Sequence, residues 1–206
     1  ILRSHKNRYG ATNELAIFDM EEKGLKEITN PSEIFLEEYN PSEPGCSIFA
    51  LNEGSRTILI ELQSLLSPSF MANPRREVNG WDQNRLAIIL AVLTSKCNLN
   101  FNQTEVYFNV IGGLKISEPA ADLAAAASLI SALKKKPLPQ HSIIFGEIGL
   151  SGEIRNSGKT EQRLDEAEKL GFKTAIIPKQ RGKKKIKAKL QLIEIDHISK
   201  LLKIIS

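Results

Sequence analysis

The opening segment carries basic and aromatic side chains at a spacing that suits contact with phosphates and bases. The motif His5–Gly10 contains three basic side chains, an asparagine, and a tyrosine next to a glycine. Basic side chains can pair with phosphate oxygens, and the tyrosine ring can stack on a base. We therefore predict a DNA or nucleotide contact formed by Lys6, Asn7, Arg8, Tyr9 and Gly10. A frayed basic terminus without a ligand is the alternative.

Paired arginines, Arg75 and Arg76, form a second candidate phosphate contact. They lie in the segment Ser67–Gly80, which contains two prolines and reads as a long loop. Loops of that length inside a compact domain often carry function, although a plain solvent-exposed loop is the alternative. The net charge of +4 makes a basic surface plausible. On charge alone, the candidate DNA-binding residues are Arg75, Arg76, Arg85, Lys115 and Arg155.

Several other kinds of site are not supported by the sequence. It contains no Gly-x-x-x-x-Gly-Lys-[Ser/Thr] motif, and its three histidines lie in unrelated segments, so we expect no metal site here. Cys46 and Cys97 are far apart and indicate a reducing, cytoplasmic location rather than a disulfide framework. No apolar run has the length of a membrane span, so no membrane partner is expected.

The pattern of apolar residues and turn signals predicts an α+β fold. A strand is expected at Glu14–Met20, a short helix at Ser32–Glu38, and a hairpin from Cys46–Leu51 and Arg56–Leu66. Asp82 can cap a buried helix. The remaining expected elements are a strand at Val106–Ile111, a helix from Pro119 to about Leu133, a hairpin at Phe145–Ile154, a helix at about Thr160–Leu170, strands at Thr174–Ile177 and Leu190–Ile195, and a helix at Ile198–Ile204.

The stretch from Gly112 to Pro178 resembles the proteolytic domain of Lon proteases, which has the ribosomal protein S5 domain 2-like fold. In that family a serine in a Pro-Ser-Ala-Gly turn heads the first helix and is activated by a lysine at the head of the second. The corresponding positions here hold Ala120 and Glu161. A methyl group cannot attack a carbonyl, and a carboxylate cannot replace the amine. The resemblance therefore implies that this chain is not an enzyme.

A second resemblance covers nearly all 206 residues. KNRYG, ELAIFDM, NPSEIFLEE, SPSFMANPRREVNGWDQNRLAIILAVL, GGLKISEPAADLA, GEIGLSGEIR and EQRLDEAEKLGFKTAIIP follow one another as in the RadA (Sms) family of bacterial DNA repair proteins. The motif of that family is Lys-Asn-Arg-Phe-Gly, and Tyr9 keeps the ring. This resemblance implies that residues 1–44 are the end of a RecA-like ATPase domain and a junction, and that residues 45–206 are a Lon-like domain. Because the chain opens on Ile1 and a basic segment, we expect it to be part of a longer protein.

The RadA resemblance also implies a function. The whole protein would be a DNA-dependent ATPase that forms a hexameric ring, drives branch migration of recombination intermediates, and works with the RecA recombinase on single-stranded and branched duplex DNA. Its ATP, Mg²⁺ and zinc sites would lie before Ile1, so this part needs no cofactor and acts as an oligomerising and DNA-binding scaffold. Two alternatives stay open, a pure assembly module without DNA contact and a Lon-type peptidase with a relocated nucleophile at Ser117, Ser128 or Ser151.

Overall fold

The computed structural model describes residues 2–3, 15–21, 24–28, 30–54, 56–180 and 186–205. The predicted motif Lys6–Gly10 lies outside the described residues. The first described elements are three short strands, β1 (Leu2–Arg3), β2 (Leu15–Glu21) and β3 (Gly24–Ile28), which pair antiparallel in a sheet of their own. A five-residue helix, α1 (Pro31–Phe35), follows with its proline in the first turn.

The rest of the described chain builds one mixed sheet and the helices that pack on it. The elements in chain order are β4 (Cys46–Glu53), β5 (Arg56–Pro68), β6 (Arg76–Asn79), α2 (Gln83–Cys97), β7 (Thr104–Val110), α3 (Asp122–Lys134), β8 (Ser142–Ile144), β9 (Glu147–Ile148), β10 (Ile154–Arg155), α4 (Thr160–Lys169), β11 (Thr174–Pro178), β12 (Gln191–Ile195) and α5 (Leu201–Ile204).

Seven strands form the central sheet in the order β12-β11-β8-β4-β5-β7-β6. The pairs at its two sides are parallel, whereas β5 runs antiparallel to both β4 and β7. Parallel neighbours need a crossover connection, and α4 supplies one between β8 and β11. Helices and strands are therefore mixed as predicted, but the sheet is mostly parallel, which the α+β prediction did not anticipate.

Small side chains allow α3 to approach the sheet closely. Every residue from Asp122 to Ser131 is buried. Ser47 Oγ on β4 donates to the carbonyl of Ala124 at 2.9 Å, and the hydroxyls of Ser64 and Ser128 lie 2.7 Å apart. The helix and the sheet are thus joined by hydrogen bonds as well as by apolar packing, because the alanines leave room for hydroxyls to meet.

The other elements follow local signals that the sequence shows. Asp82 caps α2 by accepting a hydrogen bond from the Arg85 N–H at 2.7 Å, and Asn98 ends the helix in the left-handed conformation (φ 54°). Pro119 begins a 3₁₀ turn, Pro119–Ala121, that leads directly into α3. The predicted hairpin of β4 and β5 is confirmed.

One segment of the structure differs from the prediction. The expected loop at Ser67–Gly80 is partly strand, because β5 continues to Pro68 and β6 pairs in parallel with β7. In β6 only Val78 is apolar, so four residues give too little alternation to predict an edge strand. The described loop between the two strands is therefore short and is fixed at both ends.

Candidate nucleic-acid interface

The basic candidates fall into two groups, those already used inside the fold and those exposed at its surface. Arg76 belongs to the first group. Its guanidinium donates to the carbonyl of Phe101 at 2.8 Å and to the carbonyl of Thr104. Burial lowers the pKa of Arg76, with Glu105 opposing the shift. Arg76 therefore holds the start of β6 against the turn before β7, and its predicted DNA contact stays a prediction.

Arg85 is also used inside the fold. It forms a bidentate ion pair with Asp122, in which Arg85 Nε lies 2.7 Å from Asp122 Oδ1. Its guanidinium also donates to the carbonyl of Ile148 at 3.1 Å. The Asp122 carboxylate is fully buried and also accepts from the Ile148 N–H at 3.0 Å. Burial raises the pKa of Asp122, although these hydrogen bonds oppose the shift. Arg85 thus links α2, α3 and β9, and its predicted DNA contact stays a prediction.

Arg75, Lys115 and Arg155 make up the second group, because their side chains are exposed. The guanidinium of Arg155 lies 2.5 Å from the carboxylate of Glu153, which partly neutralises it. Arg75 directly precedes β6, where its backbone carbonyl accepts from the Val106 N–H at 3.0 Å. A fixed backbone with an exposed guanidinium is the arrangement expected of a phosphate contact.

The two positions that correspond to the Lon dyad lie in different environments. Ala120 is fully buried, and its carbonyl accepts from the Gly146 N–H at 2.8 Å. Glu161 lies exposed in the first turn of α4. Of the alternative nucleophiles, Ser128 is buried and bonded to Ser64, whereas Ser117 and Ser151 are exposed in turns. None of the three stands at a helix head.

A buried arginine near the dyad positions was missed by sequence reasoning. Arg163 lies in α4 and has no exposure to solvent. Its guanidinium pairs with Glu118, donates to the carbonyl of Ala50, and lies 5.5 Å and 5.3 Å from the ring centres of Phe49 and Phe145. It therefore ties α4 to β4 and to the turn that precedes α3.

Asn52 completes this buried cluster. With its amide oriented to satisfy its hydrogen bonds, the oxygen accepts from Arg163 and the nitrogen donates to Thr57 Oγ1 at 2.8 Å. The sequence signal for the burial of Arg163 is its helical spacing from Leu164 and Ala167. These three residues share one buried side of α4.

A groove of about 580 Å³ is lined by residues of β4 to β7. Cys46 is the nucleophilic side chain on its wall, and burial together with Glu61 raises the pKa of this thiol to about 12. The thiol is therefore protonated at neutral pH and is not an activated nucleophile. Cys46 and Cys97 are both free thiols.

Within the described ranges, no group of three or more histidine, cysteine, aspartate or glutamate side chains is placed to hold a metal ion. No described helix combines the length and the apolar character needed to cross a membrane.

Similar proteins are DNA repair proteins. The DNA repair protein RadA of Rickettsia bellii (strain RML369-C) is 56% identical over 87% of this chain and 40% of its own length. That of Brucella abortus (strain 2308) is 52% identical over 88% of this chain and 39% of its own length. That of Escherichia coli (strain K12) is 45% identical over 98% of this chain and 44% of its own length. The chain thus spans about two fifths of the length of these curated relatives.

The expectation that this chain is not an enzyme is wrong. That expectation rested on Ala120 and Glu161, which stand in place of a catalytic serine and lysine. The absence of this Ser-Lys pair concerns peptide hydrolysis and no other reaction. The family model described as Subunit ChlI of Mg-chelatase matches residues 72–181, and this match and the RadA relatives are the findings that overturn the expectation. Because this model matches more than half of the chain, the protein belongs to the ChlI family.

Proposed function

We propose that this chain is a DNA-contacting part of a DNA repair protein that hydrolyses ATP. The observation that carries the proposal is the identity of 45% to 56% with proteins named DNA repair protein RadA, over 87% to 98% of this chain. The exposed side chains of Arg75 and Lys115 supply positive charge without being used in the core. Charge of this kind gives affinity for a phosphate backbone that does not depend on sequence.

The domain arrangement in this proposal is the one that the resemblance implies, with a junction at residues 1–44 and a Lon-like domain at residues 45–206. It is supported by the order of elements, since a Pro-headed α3, the β9-β10 hairpin and α4 follow one another. Ala120 offers no hydroxyl, so the activity we propose for the whole protein is ATP hydrolysis rather than peptide hydrolysis. In this arrangement residues 45–206 act as a scaffold for assembly and DNA contact.

For the whole protein we propose a hexameric ring that moves branched recombination intermediates together with the RecA recombinase in the cytoplasm. ATP, Mg²⁺ and zinc would be bound by other parts of that protein. The relatives support this proposal because they are named DNA repair proteins and because this chain accounts for about two fifths of their length.

The test is the binding of labelled duplex and single-stranded DNA to this chain at several salt concentrations, with the assembly size followed by light scattering. Phosphate contacts make the logarithm of the association constant fall with the logarithm of the salt concentration, by about 0.9 per contact on duplex DNA. We expect Arg75→Ala to weaken binding and to reduce this slope by about one.

Lys169→Ala is a control for Arg155→Ala, because each variant removes one exposed positive charge that lies within 4 Å of a glutamate carboxylate. Arg155→Ala should have a smaller effect than Arg75→Ala, since Glu153 already pairs with Arg155. A ring of subunits that binds no DNA at low salt would contradict the proposed DNA contact. The chain would then act only as an assembly module.

A further inference from the structure

Phe70 stands at the tip of the loop between β5 and β6 with its ring fully exposed. Its relative exposure is 103%, and the neighbouring Met71 is also exposed. Exposure of a phenylalanine ring to water is unfavourable, because the hydrophobic effect favours burial of the ring. A single exposed aromatic ring on a well-anchored loop is therefore a candidate contact for a partner.

The loop that carries Phe70 is fixed at both ends to one turn, residues 101–104. On one side the Ser69 N–H donates to the carbonyl of Gln103 at 2.9 Å. On the other side Arg76 donates to the carbonyls of Phe101 and Thr104. Because β5 and β6 flank β7 in the sheet, the two ends of this loop lie at the same end of β7, separated by roughly 10 Å, which is two strand spacings.

The charges around this tip favour an anionic partner. Residues 67–76 contain two arginines and no acidic side chain, and residues 98–103 contain no charged side chain at all. The nearest acidic residues along the chain are Glu77 and Glu105, and the Glu105 carboxylate accepts a hydrogen bond from the Tyr107 hydroxyl at 2.7 Å. Exposed amides lie in the neighbouring turn, at Asn98, Asn100, Asn102 and Gln103.

We propose that Phe70 is a stacking platform for the bases of single-stranded DNA, with Arg75 holding an adjacent phosphate. An exposed ring beside a guanidinium and several amides matches the chemistry of single strands, whose bases are free to stack and whose backbone is anionic. In duplex DNA the bases are already stacked on one another, so the ring has no partner there. The inference rests on the proposed DNA contact and assigns it to one form of DNA.

The experiment compares three probes of equal length in fluorescence anisotropy, namely oligothymidylate of about 16 nucleotides, an abasic strand with the same number of phosphates, and a duplex. Phe70→Ala should weaken the binding of oligothymidylate about tenfold, since one base stacked on an aromatic ring is worth about that factor. Binding of the abasic strand and the duplex should not change. Phe70→Tyr should restore the affinity for oligothymidylate.

Two variants serve as controls. Leu150→Ala removes an exposed apolar side chain from the turn between β9 and β10 and should leave all three affinities unchanged. Arg75→Ala should weaken the oligothymidylate and the abasic strand alike, because both carry phosphates. The thermal midpoint of Phe70→Ala should equal that of the unmodified chain, since the exposed ring makes little contact with the fold.

The failure of this inference is distinguishable from the failure of the proposed function. Binding of all three probes that is indifferent to Phe70→Ala would overturn the stacking platform and keep the DNA contact. An equal loss on the abasic strand would overturn it as well. Absence of binding to any probe would overturn both. Binding to vesicles of phosphatidylcholine and phosphatidylglycerol that is lost in Phe70→Ala, without any preference for bases, would assign the ring to a lipid surface instead.

Discussion

Arg163 and Asp122 are charged side chains without exposure to solvent, and each is stabilised by a specific set of partners. Removing a charge from water is costly unless an opposite charge and hydrogen bonds replace the solvent. Arg163 has Glu118, the Ala50 carbonyl, Asn52 and two aromatic rings. Asp122 has Arg85 and the Ile148 N–H. Replacement of one partner should therefore lower the free energy of unfolding more than replacement of both partners.

Arg163→Met should lower the free energy of unfolding by about 3 kcal/mol, because the buried parts of Glu118 and the Ala50 carbonyl lose their partner. The double variant Arg163→Met with Glu118→Leu should recover much of this loss, since neither charge then remains. Urea unfolding of the two single variants and the double variant measures the coupling. A double variant that is as unstable as the sum of the single variants would contradict the ion pair.

Arg85→Met should destabilise the fold in a pH-dependent way. Burial raises the pKa of Asp122, and removal of Arg85 takes away the hydrogen bonds that oppose this shift. A carboxyl whose folded pKa lies above its unfolded value is penalised where it is charged, so stability falls as the pH rises through this interval. The loss of unfolding free energy should be about 3 kcal/mol at about pH 8 and smaller at about pH 5.

Urea unfolding at both pH values measures the effect of Arg85→Met. The control is the same substitution in an Asp122→Asn background, where the Asp122 carboxyl no longer titrates and the loss should depend little on pH. A loss in Arg85→Met that does not change with pH would show that Asp122 is not the group responsible.

At the scale of elements, the turn after β7 depends on close approach to α1. Gly112 and Gly113 both have positive φ, 83° and 68°. A Cβ at Gly112 would lie 2.3 Å from the ring of Phe35, whereas a Cβ at Gly113 would meet nothing within 4 Å. The ring of Phe35 therefore occupies the space beside Gly112.

Gly112→Ala should therefore cost about 2 kcal/mol more than Gly113→Ala in unfolding free energy, because both variants carry the positive-φ penalty but only one is overpacked. Thermal or urea unfolding of the pair provides the measurement. Phe35→Ala in the Gly112→Ala background should reduce the difference. Equal losses of unfolding free energy in Gly112→Ala and Gly113→Ala would show that the Phe35 ring moves aside without strain.

Much of the element pattern was predictable because its signals are local. Asp82 and Pro119 start helices, and apolar residues alternate or recur with the period of the element. The ion-pair partners of Arg85 and Arg163 were not predictable in this way, since Asp122 and Glu118 lie 37 and 45 residues away from them in the chain. The role of Arg76 was missed for the same reason, and the motif Lys6–Gly10 stays a prediction.

At the scale of the whole molecule, the described strands divide among three sheets, and the two larger sheets differ in burial. The seven-stranded sheet lies in the main core, where β4 and β5 supply fully buried residues such as Phe49 and Leu59. In the three-stranded sheet Met20 and Leu25 are exposed, at 74% and 61%. Protection from solvent exchange follows the free energy of local opening, which is lowest where few apolar contacts must be broken.

Hydrogen exchange followed by mass spectrometry should therefore show slow exchange at the amides of β4 and β5 and faster exchange at those of β2 and β3. The difference should persist in Phe70→Ala, which serves as a control because that ring makes little contact with the core. Equal protection of the two sheets would show that they open together as one cooperative unit.

The two anchors of the loop between β5 and β6 have a consequence for the energetics of association. Ser69 and Arg76 hold the loop to the turn at residues 101–104 before any partner arrives. A loop that is already ordered loses little conformational entropy on binding, so more of the contact energy is retained as affinity. Calorimetry should then show a small entropic penalty for the protein, and Arg76→Ala should increase that penalty while leaving the contacting side chains in place.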